Sequence, residues 1–158
     1  MIETKFLTSV VEQRKPIFDL NGSDFIAVIE NSLEYFSSKD QFQLHAYAIM
    51  PNHVHFLYTE PKDQEFFRIP FIRFTAHEIL RKNKERPIDE RIDFTVNKTD
   101  RIEQVWRRKS KTILVTDIRV YFAVYNYIRQ NMLSNYWQDS MNSMALNPRI
   151  LCRHHNWK

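Results

Sequence analysis

The chain has 158 residues, of which 43% are hydrophobic and 14% aromatic, and its formal net charge is +4. This size and composition predict one folded domain spanning residues 1–158 rather than a disordered chain. A single glycine, Gly22, excludes a glycine-rich phosphate loop, and a single cysteine, Cys152, excludes an internal disulfide. No apolar run is long enough to span a membrane and no signal-peptide pattern is present, so we expect a cytoplasmic protein without membrane contact.

The first half of the chain predicts a strand, a helix and a strand pair. Residues Lys5 to Phe18 have the composition of a strand, with a basic, proline-containing exit at Arg14-Lys15-Pro16. Apolar residues then recur at helical spacing, which predicts a helix from about Ser23 to Ser37. The segment from His45 to Tyr58 predicts two strands joined by a Pro-Asn turn.

The second half predicts two more helices around a further strand. Gln64 to about Lys84 has the pattern of a helix, although Pro70 must break or offset its first part. Residues 86–100 are polar and predict a connecting loop, and Ile102 to Val115 predict a strand or strand pair. Asp117 can cap a last helix that runs to about Ser134.

The order of these elements indicates the fold class. It is strand, helix, two strands, helix, strand, helix, followed by a tail without clear periodicity from about residue 138. Runs of both element types without strict alternation favour an α+β fold, in which helices cover an antiparallel sheet. The order is close to a ferredoxin-like arrangement with an added C-terminal helix.

Two histidines lie in the second strand of the central pair, within the segment Met50-Pro51-Asn52-His53-Val54-His55. Because side chains alternate along a strand, His53 and His55 project to one face while Val54 and the residues two and four beyond it face the core. Two imidazoles this close can share one divalent metal ion. Histidines that are buried and merely hydrogen-bonded are the alternative interpretation of the same pattern.

The last predicted helix carries two further groups of interest. Tyr121 and Tyr125 belong to an apolar stripe typical of a core face, whereas Tyr127 and Asn131 share a different face one turn apart. If that face packs over the histidines, two imidazoles, an amide oxygen and a phenol meet in one site. Such a ligand set leaves open positions on a hard ion such as Mg²⁺ or Mn²⁺ for a phosphate group. Tyrosine attack at phosphorus would then give a covalent phosphotyrosine.

Basic residues form two clusters, one over residues 81–86 and one at Arg107-Arg108-Lys109-Ser110-Lys111. The second cluster directly follows Trp106, which predicts a stacking surface beside phosphate-binding charges. A solvated charged face is the alternative interpretation.

Three segments of the chain resemble the single-tyrosine HUH transposases, and among these the REP-associated tyrosine transposases. They are the strand and exit from Thr8 to Phe18, the His45–Tyr58 segment with its Met-Pro-Asn-His-x-His core, and the segment from Val105 to Asn131. Their order and spacing match the family across most of the chain. The resemblance implies the same α+β fold.

The sequence departs from the family pattern at two places. Around Tyr127, where members of the family usually have Tyr-Ile-His-x-Asn-Pro, Arg129 replaces the histidine and Met132 replaces the proline. After Trp106, Arg107-Arg108-Lys109-Ser110 replaces the usual Gln-Gly-Arg-Phe, which gives a more basic turn.

The resemblance implies metal-dependent cleavage and joining of single-stranded DNA, usually recognised at a hairpin. Tyr127 would be the nucleophile that forms a 5′-phosphotyrosine and frees a 3′-hydroxyl. His53 and His55 would bind Mg²⁺ or Mn²⁺, with Asn131 as the third ligand and Gln130 as the fallback. The expected partner is single-stranded or hairpin DNA, which would place the protein at the nucleoid; monomer and homodimer both remain open.

The residues expected to contact DNA are basic, apart from one aromatic side chain: Arg14, Lys15, Trp106, Arg107, Arg108, Lys109, Lys111 and Arg129. The main alternative function is a catalytically inactive module of the same fold that binds structured DNA or RNA. A metal-dependent hydrolase or small-molecule enzyme is a third interpretation, but it leaves the tyrosine helix and the basic segments unexplained.

Overall fold

The computed structural model describes residues 1–131 and the backbone of residues 151–152, and these form seven strands and three α-helices. The strands are β1 (Ile2–Val10), β2 (Gln43–Met50), β3 (His53–Pro61), β4 (Thr95–Lys98), β5 (Arg101–Glu103), β6 (Lys111–Val115) and β7 (Leu151–Cys152). The helices are α1 (Ser23–Ser37), α2 (Arg68–Glu85) and α3 (Ile118–Asn131). None of these helices is both long and apolar enough to cross a membrane.

Five strands form one antiparallel sheet in the order β6–β1–β3–β2–β7, and β4 and β5 form a separate hairpin. The four strands β6, β1, β3 and β2 have the order expected of a ferredoxin-like sheet, with α3 following the last of them. The predicted α+β fold is therefore confirmed.

The two faces of the sheet present different side chains, because side chains alternate along each strand, and they pack against different helices. On one face, Leu7, Val54 and Phe56 are fully buried and belong to the main core under α1 and α2. The opposite face is covered by α3, whose Tyr121 and Ile128 pack in a smaller core. Since α3 covers only part of this second face, the sheet retains space beside the helix for a site.

The helix ends follow the local signals of the sequence. The Asp117 side chain accepts hydrogen bonds from the backbone N–H groups of Arg119 and Val120, at 2.8 and 3.1 Å, and so caps α3 as predicted. Pro70 is the third residue of α2, where a missing N–H costs no helical hydrogen bond. The helix therefore begins at Arg68 rather than at Gln64.

Two further predictions about the elements are wrong, and one is not tested. The first strand ends at Val10 rather than Phe18, because the chain leaves the sheet in a turn where Gln13 and Arg14 adopt left-handed backbone conformations. The predicted loop over residues 86–100 contains β4, which pairs with β5. This strand is short and has no hydrophobic run that would predict it. The predicted extension of the last helix to Ser134 and the tail from about residue 138 lie outside the described residues, apart from β7.

Gly22 lies at the start of α1, where a side chain has no room. A Cβ at this position would collide with the backbone carbonyl of Ile17. We expect Gly22→Ala to lower the free energy of unfolding by about 1–3 kcal/mol, as for other overpacked positions. Urea denaturation measures this, with Asp40→Ala on the exposed turn after α1 as the control. Equal stability of Gly22→Ala and the wild type would contradict the close approach.

Candidate active site

A cleft of about 840 Å³ lies between α3 and the face of the sheet that it partly covers. Its floor is formed by β1 and β3, whose antiparallel register places Thr8 opposite His55. His53 projects from the start of β3 into the same cleft. From the other side, the last two turns of α3 contribute Tyr127 and Asn131.

Four predicted site residues are neighbours within a single chain. The ring centroids of His53 and His55 are 4.7 Å apart, and those of His55 and Tyr127 are 5.4 Å apart. Asn131 Nδ2 lies 2.7 Å from Nε2 of His55. The structure therefore brings together the two imidazoles, the phenol and the amide although about 70 residues separate them in sequence.

The three tyrosines of α3 that the sequence pattern distinguished have different environments. Tyr121 is buried, with its ring edge-on to that of His45, and Tyr125 packs against the same small core. Tyr127 is 50% exposed, and its ring contacts those of Phe6 and His55. A phenol that is held against the histidines yet open to solvent is accessible to a large substrate.

Each histidine of the pair is oriented through its Nδ1 atom. His55 Nδ1 lies 2.9 Å from the Thr8 hydroxyl, and His53 Nδ1 lies 2.7 Å from the side-chain oxygen of Asn52. The Asn52 oxygen can only accept, so in neutral His53 it places the proton on Nδ1 and leaves the lone pair on Nε2; the Thr8 hydroxyl is able to accept from Nδ1–H of His55 in the same way. Hydrogen bonds of this kind fix the orientation of metal-binding histidines in proteins.

Both imidazoles are neutral at physiological pH. Burial lowers the pKa of His53 to about 4, and the Arg14 guanidinium contributes to this shift. Burial also lowers the pKa of His55 to about 3, with a further contribution from His53. Metal binding requires an unprotonated ring nitrogen, so no proton has to be removed from either histidine before an ion binds.

The donor set fits a divalent ion with two nitrogen ligands and one oxygen ligand. The Asn131 amide group faces His55 Nε2, and a half-turn about its terminal bond presents the oxygen there instead of the nitrogen. Gln130 is exposed and does not line the cleft, so the structure favours Asn131 over the predicted fallback. In the described part of the chain, no three His, Cys, Asp or Glu side chains cluster, so a third ligand from these residues would have to be of another type, such as the amide.

Removing the Thr8 hydroxyl is expected to weaken metal binding because His55 would lose its orienting partner. We expect Thr8→Val, which keeps the shape of the side chain, to lower Mn²⁺ affinity about 10-fold or more. Isothermal titration calorimetry measures the affinity. Thr112→Val, at an exposed position of the neighbouring strand β6, is the matched control. Equal Mn²⁺ affinities of the two variants would show that Thr8 does not orient His55 for metal binding.

The lowered pKa of His53 predicts a loss of stability in acid. In the unfolded chain a histidine has a pKa of about 6.5, so the unfolded state binds more protons between pH 6.5 and 4. The contribution to stability is complete above pH 6.5 and falls as the pH is lowered. Urea denaturation at pH 7.5 and 5 should show a smaller loss for His53→Gln than for the wild type. An identical loss in both proteins would exclude a lowered pKa of the half-buried His53.

The predicted DNA contacts fall into three groups. Arg14 and Lys111 line the cleft itself, and the Lys15 ammonium donates to the backbone carbonyl of Asp93. The remaining basic side chains are each exposed and do not line the cleft; they are Arg107, Arg108, Lys109 and Arg129. The structure thus places two of the predicted contacts beside the histidines.

The prediction that Trp106 forms a stacking surface is wrong. Its side chain is 3% exposed, its ring packs against Phe18 and Phe71, and its indole N–H donates to Thr75. A tryptophan beside basic residues gives the same sequence pattern whether it faces solvent or core. The basic cluster at residues 81–86 is also largely engaged within the chain, because its two arginines form ion pairs with acidic side chains.

Sequence reasoning did not assign roles to Thr8 and Asn52, the two side chains that orient the histidines. Asn52 directly precedes His53, so the sequence already shows that the two side chains are close. Thr8 reaches His55 only through the pairing of β1 with β3, a register that one sequence does not specify.

Comparison with known proteins identifies a fold. No protein-family model matches the sequence, and neither does any curated protein. A candidate transposase from Deinococcus radiodurans R1 matches with a TM-score of 0.47 at 14% identity, over 82% of this chain and 91% of that one. A REP-associated tyrosine transposase bound to a REP hairpin matches with a TM-score of 0.59 at 14% identity, over 85% of this chain and 69% of that one. The chain therefore has the fold of a REP-associated tyrosine transposase, as the sequence resemblance implied.

Proposed function

We propose that the protein is a metal-dependent transposase or nickase that cleaves and rejoins single-stranded DNA through a 5′-phosphotyrosine. The observation that carries this proposal is the meeting of Tyr127 and Asn131 with His53 and His55 in one cleft of one chain. A pair of neutral histidines, one buried and one half-buried, beside an accessible phenol suits phosphoryl transfer better than a purely structural role.

The chemistry follows from the positions of these groups. His53, His55 and Asn131 would hold Mg²⁺ or Mn²⁺, which supplies polarisation of the scissile phosphate and screening of its charge. The Tyr127 hydroxyl gives up its proton to solvent and its oxygen bonds to phosphorus. The bond from phosphorus to the 3′ oxygen breaks, and that oxygen takes up a proton. One phosphodiester replaces another, so a later attack by a 3′-hydroxyl on the phosphotyrosine rejoins the strand.

We further propose that the substrate contains a hairpin. The solved transposase with this fold is bound to a REP hairpin, and the cleft of the present chain is bordered by exposed basic side chains. Arginine and lysine beside a cleft favour a polyanionic strand over a small neutral substrate.

The direct test is adduct formation. Purified protein is incubated with Mn²⁺ and a hairpin-bearing single strand that is fluorescently labelled at its 3′ end. The products are then separated on a denaturing gel. We expect a labelled band at the mass of protein plus the 3′ fragment, and none in excess chelator. Absence of any adduct or cleavage with a panel of hairpins and both metals would contradict the proposal.

The alternative is a binding module of the same fold that no longer cuts. The same incubation separates the two functions. A pure binder would bind the strand equally well with and without chelator and would form no covalent product.

A further inference from the structure

Two cations without carboxylate partners face the candidate active site from separate elements. Arg14 enters the cleft from the turn after β1, and Lys111 enters it from the start of β6. Neither side chain forms a salt bridge within the described residues, whereas Arg68, Arg81 and Arg86 each pair with a carboxylate. A charge kept unpaired beside a site is available for a ligand.

No group from the described part of the chain balances these charges in the cleft. Among the described residues that line it there is no Asp or Glu, and the two histidines are neutral. A divalent ion would add further positive charge to a site that already holds two cations. Coulomb repulsion in a partly buried cleft therefore disfavours the ion until an anion enters with it.

The backbone that carries Arg14 is strained. Gln13 and Arg14 have φ angles of 57° and 53°, in the left-handed region that non-glycine residues seldom occupy. The turn is held by a hydrogen bond from Val11 N–H to the carbonyl of Asn52, the residue before His53, at 2.9 Å. Strain of this kind persists where the surrounding structure enforces it, and it is concentrated at functional sites. Here it directs a guanidinium toward the histidines.

We propose that Arg14 and Lys111 form a clamp for the scissile phosphate, with one cation on each side of the position between the histidines and Tyr127. This inference rests on the proposed function and adds to it the groups that neutralise the phosphate. The guanidinium can engage two phosphate oxygens at once, while the ammonium supplies a point charge. Both contacts strengthen as charge accumulates on those oxygens during transfer.

The clamp implies that metal and DNA assist each other's binding. An entering phosphate neutralises Arg14 and Lys111, which removes the repulsion that opposes the ion. Coupling of two ligands is reciprocal, so metal must raise the affinity for DNA by the same factor. Removing one clamp charge should therefore have opposite effects on the two ligands: weaker binding of DNA and tighter binding of metal by the DNA-free protein.

The experiment uses Arg14→Gln and Lys111→Gln in a Tyr127→Phe background, in which no covalent step occurs. Fluorescence anisotropy measures binding of a labelled strand of eight thymidines in chelator, and calorimetry measures Mn²⁺ binding without DNA. We expect each substitution to weaken strand binding about 5- to 20-fold and to tighten Mn²⁺ binding about 2- to 10-fold. Arg14→Lys should retain part of the strand affinity. Arg73→Gln, at an exposed position of α2 under the other face of the sheet, should match the wild type in both measurements.

A third measurement separates the clamp from a general contact with DNA. With Tyr127 restored, the rate of adduct formation at saturating strand should fall about 10²-fold in each variant. Unchanged affinities in Arg14→Gln and Lys111→Gln would overturn the clamp, and so would weaker binding with an unchanged rate at saturation. If the wild type forms no adduct but both variants lose strand affinity and gain Mn²⁺ affinity, the anion site stands and the proposed cleavage function falls.

Discussion

Tyr127→Phe is expected to abolish the covalent protein–DNA product and to lower strand cleavage by at least about 10³-fold. The substitution removes only the hydroxyl oxygen that would bond to phosphorus. The ring keeps its contacts with Phe6 and His55, and half of the side chain is already exposed, so folding should be unaffected. Single-turnover cleavage with the labelled hairpin strand measures the loss.

The matched control is Tyr125→Phe, two residues earlier on the same helix. Tyr125 packs against the smaller core and does not line the cleft among the described residues. Its variant should form the adduct at a rate close to that of the wild type. An adduct that survives in Tyr127→Phe but is lost in Tyr125→Phe would show that the nucleophile is Tyr125, and would contradict the assignment of Tyr127.

Lys5→Met is expected to cause a large loss of stability, about 3–5 kcal/mol, because it leaves a buried carboxylate unpaired. Glu60 has no solvent exposure, and its two oxygens accept hydrogen bonds from Lys5 Nζ at 2.7 Å and from the backbone N–H of Phe67 at 2.9 Å. Burial alone lowers the pKa of Lys5, but Glu3 and Glu60 outweigh that effect and raise it overall. The ammonium therefore remains charged and compensates the carboxylate at neutral pH.

The double variant Lys5→Met/Glu60→Leu tests the cause of that loss. Replacing both partners with apolar side chains removes the unpaired charge, so most of the stability should return. Urea denaturation of the wild type, both single variants and the double variant closes the cycle. A double variant that is less stable than Lys5→Met would contradict this explanation.

The sequence predicted the parts of the fold that depend on local pattern. Helical spacing of apolar residues and the Asp117 cap defined α1 and the start of α3, and strand alternation separated His53 and His55 from the core row that begins at Val54. These features need only nearby residues. Boundaries failed where the backbone departs from regular geometry, as at Gln13 and Arg14, since two left-handed residues in succession leave no clear composition signal.

The candidate site was predicted to a similar extent. Helical periodicity placed Tyr127 and Asn131 on one face, and the structure confirms that this face lies over the histidines. The prediction for Trp106 failed because burial depends on tertiary packing. A tryptophan beside the same cations can stack on a base or fill the core. Thr8 was missed because its contact with His55 exists only in the folded sheet.

The position of the covalent bond in the protein shows directly whether Tyr127 is the nucleophile. After incubation with Mn²⁺ and the hairpin strand, nuclease digestion and proteolysis leave a nucleotide remnant on one peptide, which mass spectrometry identifies. We expect a phosphodiester-linked nucleotide on Tyr127 in the wild type, and none when His55 is replaced by Ala. A remnant on a different side chain, or one on Tyr127 that forms equally well in His55→Ala, would contradict a single centre built from the histidines and Tyr127.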